Sequence, residues 1–254
     1  MKNYISSRTT NTLVSLCAAM IFWMFLNLIA SVIPEGNSVY RVLQIMGGTK
    51  DGYIQMFTYA AFILGFIELL EKERFLTQQY EGFDWHLLPI EDSAQLTKDE
   101  LGIISGRIAN MEKHGQTSLL SSFIKRACAQ YSSNRSVNDT LQIMDAKINT
   151  AKEESEGQLE IIRYLINTIS ALGFIGTVIG LSVAIGNSGL AKTASGLNTI
   201  TQYLYLAFDT TLVALLLGLV LSYRYHGYLE KMDTFYSKSK SYIVDNLICR
   251  MEVV

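Results

Sequence analysis

The sequence predicts an all-α membrane protein with four transmembrane helices, and three observations carry that reading. Of its 254 residues 49% are apolar and only 17% are charged, and the mean hydropathy is +0.22, a composition that leans away from a soluble domain. The apolar residues are gathered into four runs, 12–33, 53–70, 161–185 and 203–223. Each is long enough to cross ~30 Å of hydrocarbon, which takes about 20 helical residues. The flanking charges are also asymmetric. With the N-terminus inside, Lys2, Arg8, Lys72, Arg74, Lys152, Arg163, Arg224 and Lys231 fall at cytoplasmic ends, whereas the outer loops carry Arg41, Lys50 and Lys192. An excess of Lys and Arg on the cytoplasmic side sets orientation, so both termini are expected in the cytoplasm of a multi-pass membrane protein.

Taken in order, the first run follows Lys2 and Arg8 as the core of a signal peptide would. It extends well beyond the roughly 7 to 15 apolar residues of such a core, so it reads as a retained span. A short outer loop, 34–52, joins it to the second run, and residues 1–70 form a unit of two N-terminal transmembrane helices. Residues 71–158 then read as a cytoplasmic helical region. Thr97 and Glu100 have capping-box spacing and precede Leu101, Ile104, Ile108 and Met111 on one helical face, which ends near Gly115. A second helix is predicted over 118–131. After the polar loop 132–136, Leu141, Ile148, Ser155 and Ile162 recur at seven-residue intervals. That spacing predicts one long helix running from the cytoplasm into the third span. Residues 159–228 hold the third and fourth spans, separated by a second short outer loop, 186–201. Residues 229–254 form a cytoplasmic C-terminal helix in which Leu229, Met232, Tyr236, Ile243 and Leu247 share a face.

Composition and motifs exclude several function classes. A net charge of −2 leaves no sustained basic surface, so no nucleic-acid partner is expected. Cys17, Cys128 and Cys249, like His86, His114 and His226, are scattered without metal-ligand spacing, so no metal site is expected. The chain has no GxxxxGK[ST] phosphate loop, HExxH zinc helix or GxSxG nucleophile elbow. It is not expected to be an enzyme, and any work it does would draw on an ion gradient rather than on ATP.

The chemistry is concentrated in the third and fourth spans. Gly173, Gly176 and Gly180 lie three and four residues apart on one stripe, the spacing that lets helices approach closely in lipid. Ser170 and Thr177 are seven apart, so both hydroxyls point in a similar direction. The fourth span carries Asp209, Thr210 and Thr211 inside an apolar run. An acid at the centre of a membrane helix costs at least about 2.5 kcal/mol on insertion scales, so Asp209 is expected to face a bundle interior and a partner. It is either a functional group or a hydrogen-bonded packing residue. Helical geometry turns it about 200° from Thr211, towards an adjacent helix.

The segment Leu172-Gly173-Phe174-Ile175-Gly176-Thr177-Val178-Ile179-Gly180 resembles the glycine-threonine signature of the MotA/TolQ/ExbB proton-channel family. Residues 207–215 resemble the family's closing helix, whose threonine corresponds to Thr211. These motifs lie within residues 161–228; the first 160 residues resemble the family by topology. The resemblance implies a homopentamer surrounding a dimer of a single-span subunit of the MotB/TolR/ExbD type. Each partner would supply the membrane aspartate that carries the ion. It implies Thr177 and Thr211 as pore residues, with Thr210, Ser170 and Asp209 as neighbours on the ion pathway. No cofactor is implied beyond the translocated H+ or Na+, and the extra hydroxyl of Thr210 keeps sodium open.

Asp209 departs from the family, which more commonly has an uncharged residue there. The only prolines are Pro34 and Pro89, so the family's membrane prolines are missing and its torque-transmitting residues do not map. Four spans resemble flagellar stator subunits more than three-span TolQ and ExbB. Flagellar, Tol/Ton-like, gliding and defence systems all stay open. The alternative is a non-conducting membrane scaffold, in which the glycines serve packing and the hydroxyls satisfy backbone groups.

Overall fold

The computed structural model describes residues 2–34, 38–47, 52–88 and 96–251. Among the charges weighed for orientation, Lys50 lies outside the described residues, as do the side chains of Lys2 and Arg8; Pro89 lies outside them too. The regular elements are helices: α1 (Lys2–Val32), α2 (Ser38–Ile45), α3 (Tyr53–Asp84), α4 (Lys98–Lys113), α5 (Leu119–Asn134), α6 (Val137–Gly157), α7 (Glu160–Gly186) and α8 (Ala194–Asn246). Four helical stretches, Thr9–Val32, Tyr53–Asp84, Val137–Gly186 and Ala194–Arg250, are long and apolar enough to cross a membrane. The chain is an all-helical membrane protein.

Its residues pack as two compact units, Met1–Leu70 with Glu160–His226, and Glu71–Leu159 with Gly227–Val254. In the first unit, Ala19, Leu26 and Ala30 of α1 pack with Leu43 of α2, Tyr59 and Ala60 of α3 and Val213 of α8. The Phe22 and Tyr59 rings meet edge to face, with centroids 5.1 Å apart. Gly65 of α3 makes room for Leu165 of α7 and Leu221 of α8. Glu68, an acid inside the second predicted span, is buried and accepts a 3.4 Å hydrogen bond from Asn11 Nδ2.

Two expectations are corrected. The first outer loop is not plain loop, because residues 38–45 form α2. This segment, SVYRVLQI, buries Leu43 against α1 and α3. Tyr59 Oη donates to Met46 O at 2.9 Å, and Gly47 at φ 88° turns the chain just past the helix end. The long helix expected from residue 141 into the third span is interrupted by a turn at Gln158 and Leu159. Gly157 ends α6, and Leu159 N bonds Glu156 O rather than the carbonyl four residues back. Glycine is the weakest ordinary helix former after proline, and it closes a polar run with little side-chain packing to hold the helix straight.

In the second unit, Thr97 N donates to Glu100 Oε2 at 2.8 Å at the start of α4, as the capping-box spacing predicts. Ser118 caps α5, accepting from Leu120 N and donating to Gln79 O. Thr140, Met144, Ile148 and Ala151 form the buried face of α6. The distal part of α8 meets it with Tyr236, whose hydroxyl donates to Ala151 O at 2.9 Å. Phe235 is fully buried, with Tyr80 and Phe83 of α3 edge-on to its ring. Of Leu229, Met232, Tyr236, Ile243 and Leu247, predicted to share one apolar face, the last four are buried and Leu229 is half-buried.

Candidate functional site

The antiparallel pair α7 and α8 meets along a seam that only small residues permit. A Cβ added to Gly173 would stand 2.5 Å from Ala214 Cβ, and one on Gly176 would stand 2.6 Å from Thr210 Cβ. One on Gly180 would lie 2.8 Å from Tyr203 O and 2.9 Å from Ala207 Cα. Side chains never approach so closely, so the three glycines set the helix separation. All three are buried.

Within this seam the hydroxyls of Thr177 and Thr211 hydrogen-bond to each other. Each also reaches across to the partner helix. Thr211 Oγ1 lies 2.9 Å from Gly173 O and Thr177 Oγ1 lies 3.1 Å from Ala207 O. With one hydrogen per hydroxyl, a threonine that donates to its fellow releases its carbonyl while the other keeps donating to its own. Gly173 is the residue four before Thr177, and Ala207 is the residue four before Thr211. Each threonine thus addresses the carbonyl that the other would use for its own intrahelical bond. The intrahelical contacts are longer, 3.3 Å in both cases. A lone membrane threonine ordinarily bonds its own i−4 carbonyl; here the cross-helix partner is nearer. Two hydroxyls and two carbonyls form a compact oxygen cluster whose threonines are only half-buried. A hydroxyl both donates and accepts, so each threonine can turn its hydrogen from a carbonyl to an incoming carboxylate, or offer a lone pair to a cation while its hydrogen stays on the carbonyl.

The remaining predicted residues divide. Thr210 is buried in the notch above Gly176 and donates to Ala207 O at 3.0 Å, next to the cluster. Ser170 does not join it: this residue is exposed and its hydroxyl turns back to Ile166 O at 3.4 Å. Asp209 faces away from the threonines. Its carboxylate takes a two-pronged ion pair from Arg41 of α2, Nη2 to Oδ1 at 2.8 Å and Nη1 to Oδ2 at 2.9 Å. The guanidinium also lies over the Tyr205 ring, 4.4 Å from its centroid. Beside them opens a cavity of about 240 Å³ lined also by Gln44, Gln202 and Tyr203. Sequence reasoning counted Arg41 only as an outer-loop charge. The available signal was an unmatched acid in one span and a lone arginine in a short amphipathic segment. Among the described residues, no three His, Cys, Asp or Glu side chains group as metal ligands do.

Residues 115–240 match the sequence profile of the MotA/TolQ/ExbB proton channel family. Through this segment the chain is similar to that family. The match covers close to half of the chain and reaches beyond the motifs at 161–228 to include α5, α6 and most of α8. It therefore takes in all of α7 together with the membrane-crossing part of α8, the two helices that carry the threonine pair. Comparison with curated proteins and with solved structures gave no match.

Proposed function

We propose that the chain is the channel-forming subunit of an ion-motive-force-driven motor complex that passes work to a single-span partner of the MotB/TolR/ExbD type. The observation that carries this reading is the reciprocal threonine pair, Thr177 with Thr211, in the family's two signature helices. A carboxyl group in a low-dielectric interior needs hydroxyl donors when charged and acceptors when protonated, and the cluster offers both. Proton or sodium passage is then a change in which oxygens the carboxyl engages. Asp209 is already compensated within the chain by Arg41, and the ion-carrying acid in this reading is the membrane aspartate of the partner that the family resemblance implies.

Assembly in several copies is supported by the apolar surface of the same helices. Phe174 and Val178 of α7, and Phe208, Leu215 and Leu219 of α8, are more than half exposed. We place five copies around the partner dimer in the bacterial inner membrane, with both termini and residues 71–158 in the cytoplasm.

The test is Thr211→Val, which preserves shape and removes the hydroxyl. In proteoliposomes holding the chain with its partner, ion uptake followed with a pH dye and with radioactive sodium is expected to fall at least about tenfold, the equivalent of ~1.4 kcal/mol. The native mass of the complex is expected to stay unchanged. Full uptake by this variant would remove Thr211 from the pathway. No uptake by the parent complex would favour the scaffold.

A further inference from the structure

We infer that Arg41 is a positioning residue: its clamp on Asp209 and Tyr205 sets the rotation of α8 about its own axis, and so holds Thr211 opposite Thr177. Asp209 and Tyr205 are four residues apart and therefore share one face of α8. Arg41 engages both, the carboxylate through two hydrogen bonds and the ring through its guanidinium plane. Thr210 and Thr211 lie about 100° and 200° further round the same helix. Fixing the first face fixes the second. In lipid no hydrophobic force pulls apolar side chains inward, so a helix that is apolar nearly all round takes its rotation from close packing and polar contacts. The glycine seam provides closeness. The arginine fork adds direction, because its donors match a carboxylate in one plane only.

The anchor of the clamp is itself held. Leu43 is buried among α1 and α3, and Tyr59 Oη binds Met46 O just past the end of α2. Tyr40, just before Arg41, also packs against that core, so Arg41 projects from a short helix that is fastened on both sides of it. The Asp209 side chain is 8% exposed whereas that of Arg41 is 38% exposed, so the carboxylate is the member that loses its water and depends on the pair. An acid that departs from the family pattern thereby becomes a fixed point of the fold, separate in role from the hydroxyls two residues on. The functional meaning of that rotation rests on the channel reading; the rotation itself does not.

The experiment reads the rotation directly. In the full-length chain with Cys17, Cys128 and Cys249 replaced by alanine, Thr177→Cys and Thr211→Cys are introduced as a reporter pair. The yield of the intramolecular disulfide after mild oxidation is then measured in membranes. The clamp predicts a high yield with Arg41 present and at least a fivefold slower formation in Arg41→Ala. An intermediate rate is expected in Arg41→Lys, which keeps charge but loses the fork. Near-parental formation should return in the reciprocal swap of Arg41→Asp with Asp209→Arg. The neutral pair Arg41→Gln with Asp209→Asn, which leaves no lone charge, covers the case in which single variants do not accumulate; it too is expected to form the disulfide more slowly. Unchanged formation in Arg41→Ala, or in the neutral pair, would overturn the inference. So would a swap that folds but restores nothing. Because the readout is a disulfide and not ion uptake, its failure leaves the channel reading to stand or fall on Thr211→Val alone.

Discussion

Gly180→Ala adds one methyl group at the tightest backbone crossing of α7 and α8. The added carbon would sit 2.8 Å from the carbonyl oxygen of Tyr203 and 2.9 Å from the Cα of Ala207. Both are backbone atoms of α8, so no rotamer change relieves the contact and the helices must separate locally. Overpacking of this kind costs about 1–3 kcal/mol, and the upper end applies where backbone has to move. For a chain of this size about 3 kcal/mol corresponds to a fall of roughly 6–12 °C in unfolding midpoint. The assay is the midpoint for loss of the native elution peak of detergent-purified protein after heating. Gly227→Ala serves as control: nothing lies within 4 Å of its added carbon. There, replacing a mid-helix glycine stabilises by about 0.8–1 kcal/mol, so the midpoint should rise by about 2–4 °C. A Gly180→Ala protein that melts within ~2 °C of the parent would refute the claim that these glycines set the helix separation.

Three further outcomes are expected. Phe235→Ala empties a fully buried site between Tyr80 and Phe83 and should cost about 3–5 kcal/mol, seen as a drop of at least ~6 °C in the same assay. Ser118→Ala removes the cap of α5 and the bond to Gln79 O, and should cost about 1–2 kcal/mol by the same measurement. Burial pushes the Cys128 thiol up to about 11 from its ordinary 9.0. A water-soluble maleimide at pH 7 should therefore label exposed Cys249 and leave Cys128 untouched until the chain is unfolded. Below pH 9 the Cys128 thiol is protonated in both states. Between pH 9 and 11 only the unfolded chain ionises it, so stability should fall across that window by more in the parent than in Cys128→Ala.

The four spans were legible because crossing a membrane demands long apolar runs, and because hydrogen-bonding within a helix is local. The glycine stripe and the two threonines were legible for a related reason, since close approach needs small residues at helical spacing. What escaped was non-local. The Arg41 to Asp209 pair joins residues 168 positions apart, and no periodicity connects them; an acid in a span announces that it needs a partner but not which one. The Ser170 prediction shows the limit of periodicity from the other side. Seven residues place it on the stripe of Thr177, yet it meets no hydroxyl of α8 and bonds its own helix. The turn at Gln158 and Leu159 was hidden because a heptad pattern continues through it unchanged, whereas the helix ends where Gly157 weakens it. The helical character of residues 38–45 was missed because a segment of only eight residues, although followed by Gly47, owes its form to Leu43 and Tyr59 in the packed unit.

A shared pore requires several copies enclosing one interior, with Thr177 and Thr211 facing it. The decisive measurement is the native mass of the chain expressed alone and extracted in a mild detergent, with detergent mass subtracted. The account predicts a pentamer. A protein that remains a monomer or dimer across several mild detergents would contradict a shared pore, and the scaffold reading would replace it.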